Sequence, residues 1–443
     1  MYSPFIIKKK INSFNKTIHV SGDKSLSIRW ALLASQAKGK SRAYNLLKSL
    51  DVISTLNCLK KLGIKINFKN NFCEIESDGL NTFKNKKNII LNSGNSGTLG
   101  RLILGLLVHY NNKIKMIGDR SLSKRDFSRV TIPLKKFGAS FTHKSKSKLP
   151  IVITGLKNAK PIKYYEKKGS AQCKSSVMLA ALNTKGTTVI KAKKSRNHTE
   201  LLYKYLNLPI TIQKKKNYDL IRVVGKKKIR PLNYTVPSDI SSSAFFITLT
   251  VLSKNSELTL KNVNINPTRI GILKILKLMG IKIQIMKSKN YKGEKIADLK
   301  IKSQFTIKPI KCPSKLNSAA IDEFLLIFLL AARANGVSYF KNLLELNQKE
   351  SPRLLWGAKI LNKMGIKTIT TKDSIKIFGN PDLKIKKKII IKQFLKDHRV
   401  FMSSVIAALT FGGPMWSIYD KDSINTSFPS FLQKLKKLGY QFN

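Results

Sequence analysis

LKKLGIKI, residues 59 to 66, decides how this chain is read, because near copies recur at LKKFGASF (134–141), LKLMGIKI (276–283), LNKMGIKT (361–368) and LKKLGYQF (435–442). In each, a helical run ends on glycine, the residue most at ease in the left-handed conformation just past a helix, and the chain then turns β-rich. Each copy therefore predicts a helix, a glycine stop and a strand. A degenerate copy, YKYLNLPITI (203–212), lacks the glycine, and its stop is placed near Pro209. Gly63, Gly138, Gly280, Gly365 and Gly439, with that sixth stop, fall roughly 70 to 85 residues apart, too far for stacked solenoid hairpins and suited to small α/β repeats. Six repeats in 443 residues divide into two sets of three, hence two domains.

Each repeat also opens another helix on a short polar turn: GDKSLSIR from Gly22, NSGTLGR from Asn95, GSAQCKSS from Gly169, VPSDISSS from Val236, AAIDEF from Ala319 and KDHRVFM from Lys396. The runs behind them, such as FLLIFLLAA, are apolar all round and are predicted to be buried on every side. Singly, a Ser or Asp at such an opening is an ordinary helix cap. Six together predict that the helix beginnings of a domain converge on one face, where unpaired N–H groups and partial positive charges favour an anion. NSGNSGTLGR (92–101) fits that use, since Gly97 allows close backbone approach. It lacks the Gly-Lys-Ser/Thr ending of a nucleotide P-loop.

Composition narrows the function classes. Lys and Arg number 84 against 23 Asp and Glu, a formal net charge of +61, with 42% hydrophobic residues. So positive a chain favours anionic partners in general. Lysines run through every segment without a basic arm, and Phe245, Phe246 and Trp356 sit in apolar helical runs, so the pattern reads as compositional drift rather than a nucleic-acid footprint. Cys58, Cys73, Cys173 and Cys312 form no C-x-x-C pair, and no histidine keeps ligand spacing with them, so neither a disulfide framework nor a metal site is expected. No run reaches the ~20 apolar residues of a membrane helix, and MYSPFIIKKKINS does not read as a signal peptide. The expectation is a cytoplasmic monomer acting on small anions, with no cofactor, membrane or specific nucleic-acid partner.

Eleven segments in order from Gly22 to Phe431 carry a family resemblance: GDKSLSIR, NSGTLGRL, GDRSLSKR, SAQCKS, SRNHTE, VPSDISSSAFF, NPTRIG, IDEF, KESPRL, DHRVFM and TSFPSF. Together they resemble 5-enolpyruvylshikimate-3-phosphate (EPSP) synthase, an enolpyruvyl transferase. The resemblance implies an α/β fold of two similar domains, each of three βαβαββ units in an inside-out, barrel-like arrangement. It implies a discontinuous first domain (1–20 and 237–443) and an inserted second domain (21–236), joined by a double crossing near Val20 to Gly22 and Thr235 to Ser238. It implies, too, a cleft between domains that closes to exclude water. There the enolpyruvyl group of phosphoenolpyruvate passes to the 5-hydroxyl of shikimate 3-phosphate with release of phosphate, on the way to chorismate and the aromatic amino acids.

Carried over residue by residue, the resemblance puts Lys24, Ser25, Arg29, Ser170, Ala171, Gln172, Arg196, Asp322 and Lys349 around shikimate 3-phosphate. It puts Lys24, the Ser96–Gly97 backbone, Arg125, Gln172, Arg353 and Arg399 around phosphoenolpyruvate. Arginine suits planar, two-point capture of carboxylate and phosphate, and lysine supplies a point charge. Asp322 resembles the base for the 5-hydroxyl, and Glu350 and Lys24 the groups that handle the methylene proton, with the first donor left open between them. Asp397 and His398 flank Arg399 and are expected to orient it.

Some positions depart from the family pattern. Arg125-Asp126-Phe127 stands where Arg-Pro-Met is common, Pro352 replaces the Asp of K-E-S-D-R, Asn347 replaces an Arg, and Thr426 replaces a lysine, as in another branch of the family. The sister transferase acting on UDP-N-acetylglucosamine opens on Lys-Asn-Ala and carries a cysteine in the loop that here reads GDRSLSKRDF; this chain has Lys24-Ser25-Leu26-Ser27 and no cysteine between Cys73 and Cys173. Gly97 leaves space that an alanine would fill, so sensitivity to glyphosate, an inhibitor of the family, is expected.

Overall fold

The stop glycines explain why the helices end where they do. In the computed structural model, which describes residues 3–442 except 70, 71, 85–87, 144 and 146, Gly63, Gly138, Gly280, Gly365 and Gly439 all have positive φ, between 80° and 108°. The degenerate copy obeys the same geometry through another residue: Asn207, aligned with the glycines, has φ 54°. Asparagine tolerates the left-handed region better than other side-chain-bearing residues, so the stop lies at Asn207 rather than at Pro209.

The repeat is clearest in two consecutive copies. Strand Ile89–Asn92, helix Gly97–Leu107 and strand Ile114–Ile117 make a parallel crossover, followed by helix Ser128–Lys135 and the antiparallel hairpin Ser140–His143 and Ile151–Thr154. Lys163–Glu166, Ala171–Asn183, Thr187–Lys193, His198–Tyr205, Ile210–Lys214 and Tyr218–Val224 repeat the pattern. In both sheets the spatial order is first, second, fourth, third strand.

In two other repeats the opening strand comes from a distant part of the chain. Tyr234–Thr235 pairs parallel with Lys38–Tyr44, and Asn15–Ile18 pairs parallel with Glu257–Asn264. In the last repeat the opening strand is local, Ile389–Ile391 parallel to Trp416–Ile418, and the distant Phe5–Ile7 runs antiparallel to Trp416–Ile418 in the place of the fourth strand. In the repeat built on Gly336–Phe340, Thr368–Thr370 and Ile375–Gly379, the opening strand is reduced to a single bridge from Lys311 to Tyr339. The result is six small sheets among the described residues, four of four strands and two of three, five of them mixed and the Gly336–Phe340 sheet antiparallel, none closed into a barrel.

The chain forms two compact units. One comprises Met1–Ser21, Pro237–Asn290 and Lys295–Asn443, the other Gly22–Val236 with Tyr291–Glu294. We call them the discontinuous and the inserted unit. At the passage into the inserted unit, Gly22 has no room for a side chain: a Cβ there would lie 2.1 Å from the Asn45 carbonyl oxygen. Each unit has its own hydrophobic core. The apolar helices run through these cores; all 13 residues of Ile240–Leu252 are buried, so only its ends can meet a ligand.

Candidate active site

Helices buried along their length present their first turns, and those turns carry caps. The side chains of Asp23, Ser96, Ser170, Asp239 and Asp397 accept from the N–H of Leu26, Leu99, Cys173, Ser241 and Arg399 at 2.8–3.3 Å. Glu323 is the exception. Standing just before helix Phe324–Arg333, it makes no side-chain cap and instead accepts from the Ser241 hydroxyl.

In the inserted unit, the beginnings of helices Gly97–Leu107 and Ala171–Asn183 meet. Gln172 donates to Thr98 Oγ1 at 3.0 Å and accepts from Arg101 Nη1 at 2.9 Å, which fixes both ends of its amide. Arg101 also reaches the Gly97 carbonyl at 3.3 Å and lies over the Phe127 ring at 5.1 Å. Burial, helped by the neighbouring Arg125 cation, pushes the Arg101 guanidinium down to about 10. A buried arginine destabilised by another cation marks a place where an anion would be stabilising. Gly97 lies against both groups: a Cβ there would stand 2.8 Å from Arg101 Nη1 and 3.1 Å from Arg125 Nη1.

Helix Lys24–Ala34 brings the next group. Lys24 pairs with the buried Asp51 at 3.0 Å. Arg29, 5% exposed, is held by Thr199 Oγ1 at 2.9 Å, the Ser25 carbonyl at 3.1 Å and Ser175 Oγ at 3.2 Å. Ser175 shares its helix with Ala171 and Gln172, and Ser170 caps that helix, so these predicted residues fall in one neighbourhood. Arg196 is half-buried just ahead of helix His198–Tyr205.

In the discontinuous unit two of the three predicted acid–base residues, Asp322 and Glu350, fall in one cluster, whereas Lys24 belongs to the inserted unit. Asp322 Oδ1 lies 3.2 Å from Lys349 Nζ and 3.5 Å from Arg353 Nη1, and its carbonyl accepts from Arg399 Nη1 at 2.6 Å. Arg353, 2% exposed, is bonded to Asp397 at 2.8 and 3.2 Å and to Glu350. Burial opposes its charge, but the Asp397, Glu350 and Asp322 carboxylates win and raise its pKa above the ordinary arginine value. Burial alone would likewise raise Asp397; Arg353 reverses this and holds it below the usual carboxylate range.

One orientation expected from the sequence needs correcting. Asp397 caps Arg399 through the backbone N–H only, and its carboxylate is spent on Arg353 and on Ser351 Oγ at 2.8 Å, so it orients Arg353 rather than the Arg399 side chain. His398 Nδ1 faces Thr426 Oγ1 at 3.2 Å.

Two departures from the family pattern compensate for one another. Pro352 precedes helix Arg353–Met364 and offers no side-chain cap, while Asn347 Oδ1 accepts from the Leu354 N–H at 3.1 Å, supplying it from outside. Asp126 is taken up locally by Ser128, at 2.7 Å to both its N–H and its hydroxyl. Sequence reasoning missed Arg101, Thr98 and Asp51. The available signal for Arg101 was a lone arginine in an apolar helix, one turn beyond Gly97.

No group of three or more His, Cys, Asp or Glu side chains able to hold a metal occurs among the described residues, and no described helix is long and apolar enough to cross a membrane. All four cysteines are buried free thiols, and burial pushes Cys58 and Cys73 up to about 12 and Cys312 to about 11.

Solved structures define the class. The enolpyruvyl transferase NikO of Streptomyces tendae superposes with a TM-score of 0.77 over 99% of this chain and 98% of its own at 15% identity, so the fold is that of an enolpyruvyl transferase. EPSP synthase of Acinetobacter baumannii superposes with a TM-score of 0.86 at 34% identity, covering 99% of this chain and 98% of its own. The family model for EPSP synthase (3-phosphoshikimate 1-carboxyvinyltransferase) matches residues 8–435. The 3-phosphoshikimate 1-carboxyvinyltransferase of Ruthia magnifica subsp. Calyptogena magnifica is 38% identical over 100% of this chain and 99% of its own length, and that of Zymomonas mobilis 35% over 99% and 97%. The chain belongs to the EPSP synthase family.

Proposed function

We infer that the chain transfers the enolpyruvyl group of phosphoenolpyruvate to the 5-hydroxyl of shikimate 3-phosphate, releasing phosphate, as the step of the shikimate pathway that leads to chorismate and the aromatic amino acids. The observation that carries the reading is the Asp322 cluster: a carboxylate held by Lys349 and Arg353, with Arg399 on the Asp322 backbone carbonyl and Glu350 on the same Arg353.

Ser25, Arg29, Ser170, Ala171, Gln172 and Arg196 bind shikimate 3-phosphate, with Lys349 on its hydroxyls. Lys24, the Gly97 backbone, Arg125, Gln172, Arg353 and Arg399 bind phosphoenolpyruvate. Asp322 takes the proton of the 5-hydroxyl as that oxygen bonds to C2 of phosphoenolpyruvate, and C3 gains a proton to become a methyl group. In the second step the C2–O bond to phosphate breaks, phosphate departs with the bonding pair, and the methyl group returns a proton to restore the vinyl carbon. Glu350 and Lys24 handle the two proton transfers at C3.

The cations and helix beginnings supply charge stabilisation fixed before the reaction starts, which is where most such rate enhancement originates. Proton transfer and charge neutralisation are all the chemistry requires, so the reading calls for no cofactor. It places the enzyme in the cytoplasm as a monomer. The test is phosphate release from phosphoenolpyruvate with shikimate 3-phosphate present or omitted. Release that depends on the shikimate supports the reading; release without it, or with UDP-N-acetylglucosamine in its place, refutes it.

A further inference from the structure

The segment Arg196–Glu200 contains more buried polarity than the chemistry above uses. His198, Thr199 and Glu200 are 1%, 2% and 2% exposed and open helix His198–Tyr205 in succession. Each reaches a different partner. His198 Nδ1 lies 2.6 Å from Glu294 Oε1, Thr199 Oγ1 holds Arg29 Nε at 2.9 Å and Ser175 Oγ at 2.7 Å, and Glu200 Oε1 lies 2.5 Å from Lys174 Nζ. Ser175 and Lys174 belong to the first turns of the helix that begins at Ala171. Burying chargeable groups is unfavourable unless they are paired, and apolar residues could fill the same volume, so holding the fold together does not by itself account for the pattern.

Glu294 is remote in sequence from the rest. It begins strand Glu294–Lys302, whose hairpin partner is Ile283–Tyr291, and residues Tyr291–Glu294 group with the inserted unit while the remainder of both strands belongs to the discontinuous unit. The turn is tightly seated: Tyr291 OH accepts from the Thr235 N–H at 2.9 Å, and a Cβ on Gly293, already at φ 89°, would lie 2.7 Å from the Leu201 carbonyl oxygen.

We infer that Glu294 is a positioning residue for shikimate 3-phosphate. Through His198 it fixes the first turn of helix His198–Tyr205, so that Thr199 aims the Arg29 guanidinium and the adjoining Arg196 is set at the phosphate end. The inference rests on the proposed function, because Arg29 and Arg196 matter here as ligands of that substrate. It predicts a specific signature. Freeing the turn weakens shikimate 3-phosphate binding and leaves phosphoenolpyruvate and the chemical step nearly untouched.

The experiment titrates the full-length chain with shikimate 3-phosphate by calorimetry and measures steady-state rates and melting for Glu294→Ala, Glu294→Gln and Thr199→Val. Glu294→Ala and Thr199→Val are expected to raise the Kd and KM for shikimate 3-phosphate about tenfold, the worth of one well-placed charge-assisted hydrogen bond, with kcat and the KM for phosphoenolpyruvate changed less than about twofold. Glu294→Gln keeps an acceptor for His198 Nδ1–H and should recover most of the affinity. If Glu294→Ala does not fold, Thr199→Val, nearly isosteric, carries the test, since the path from Glu294 to Arg29 runs through Thr199. Unchanged shikimate 3-phosphate affinity overturns the inference, as does a lower kcat and melting point with both KM values intact, the mark of a purely structural role. A wild-type chain that releases no phosphate when given both substrates would instead overturn the proposed function.

Discussion

Replacing Asp397 by alanine tests whether the buried cation of the discontinuous unit is held as described. Arg353 is 2% exposed and Asp397 fully buried, so the pair cannot exchange its mutual contacts for water. Removing one partner of a buried, hydrogen-bonded ion pair costs about 3–5 kcal/mol. Glu350 and Asp322 remain near the guanidinium and place the loss at the lower end of that range. Asp397 also caps helix His398–Phe411, and losing a cap costs about 1 kcal/mol.

The expected total is about 4 kcal/mol, a fall of about 8–16 °C in the melting point for a unit of this size. Asp397→Asn keeps the capping oxygen and should lose only about 3 kcal/mol. The Asp397 pKa lies below its ordinary value in the folded chain, so its contribution is present above the usual carboxylate range and is lost as pH falls through the lower folded value. Both variants should therefore lose part of the wild-type acid sensitivity below about pH 4. Thermal melts followed by circular dichroism at pH 7 and pH 3.5 measure this. An Asp397→Ala variant melting within about 3 °C of wild type at pH 7 would refute the reasoning, because Arg353 would then be satisfied without it.

Two further predictions concern other sites. Gly97→Ala should fold normally, since alanine favours a helix and the obstructing atoms are the ends of two arginine side chains. By displacing Arg101 and Arg125 it should raise the KM for phosphoenolpyruvate about tenfold and weaken glyphosate inhibition; equal constants in steady-state assays would contradict this. His109, hydrogen-bonded through Nε2 to the Ala180 carbonyl at 3.0 Å, is pushed down by burial to about 4. Its depressed pKa means that stability is fully present above about pH 6.5 and declines as pH falls towards 4, by at most about 3 kcal/mol. Urea titrations should find that slope reduced in His109→Asn, and an unchanged slope would assign it to other groups.

The repeats were legible because a helix stop demands one backbone conformation that few residues adopt, so Gly63 and its counterparts mark it whatever surrounds them. Asn207 was overlooked because asparagine shares that tolerance without glycine's conspicuousness. Helix openings such as Asp23, Ser170 and Asp397 were legible for a similar reason, since a cap is satisfied within three residues. Pairings set by tertiary structure were not. The strand Tyr234–Thr235 opens a sheet whose other strands end at residue 78, and Glu294 meets His198 across almost a hundred positions. Nothing local to Asp397 distinguishes holding Arg353 from holding Arg399. Arg101 was hidden among apolar residues because its value lies in Gln172, on another helix.

The most direct measurement compares phosphate release and shikimate 3-phosphate binding in wild type and Asp322→Asn, with both substrates saturating. Loss of a positioned general base should lower kcat by about a hundredfold or more, while calorimetry finds shikimate 3-phosphate still bound. A variant that turns over within a few-fold of wild type would contradict the role of Asp322, and with it the reading of the Lys349, Glu350 and Arg353 cluster as the catalytic centre.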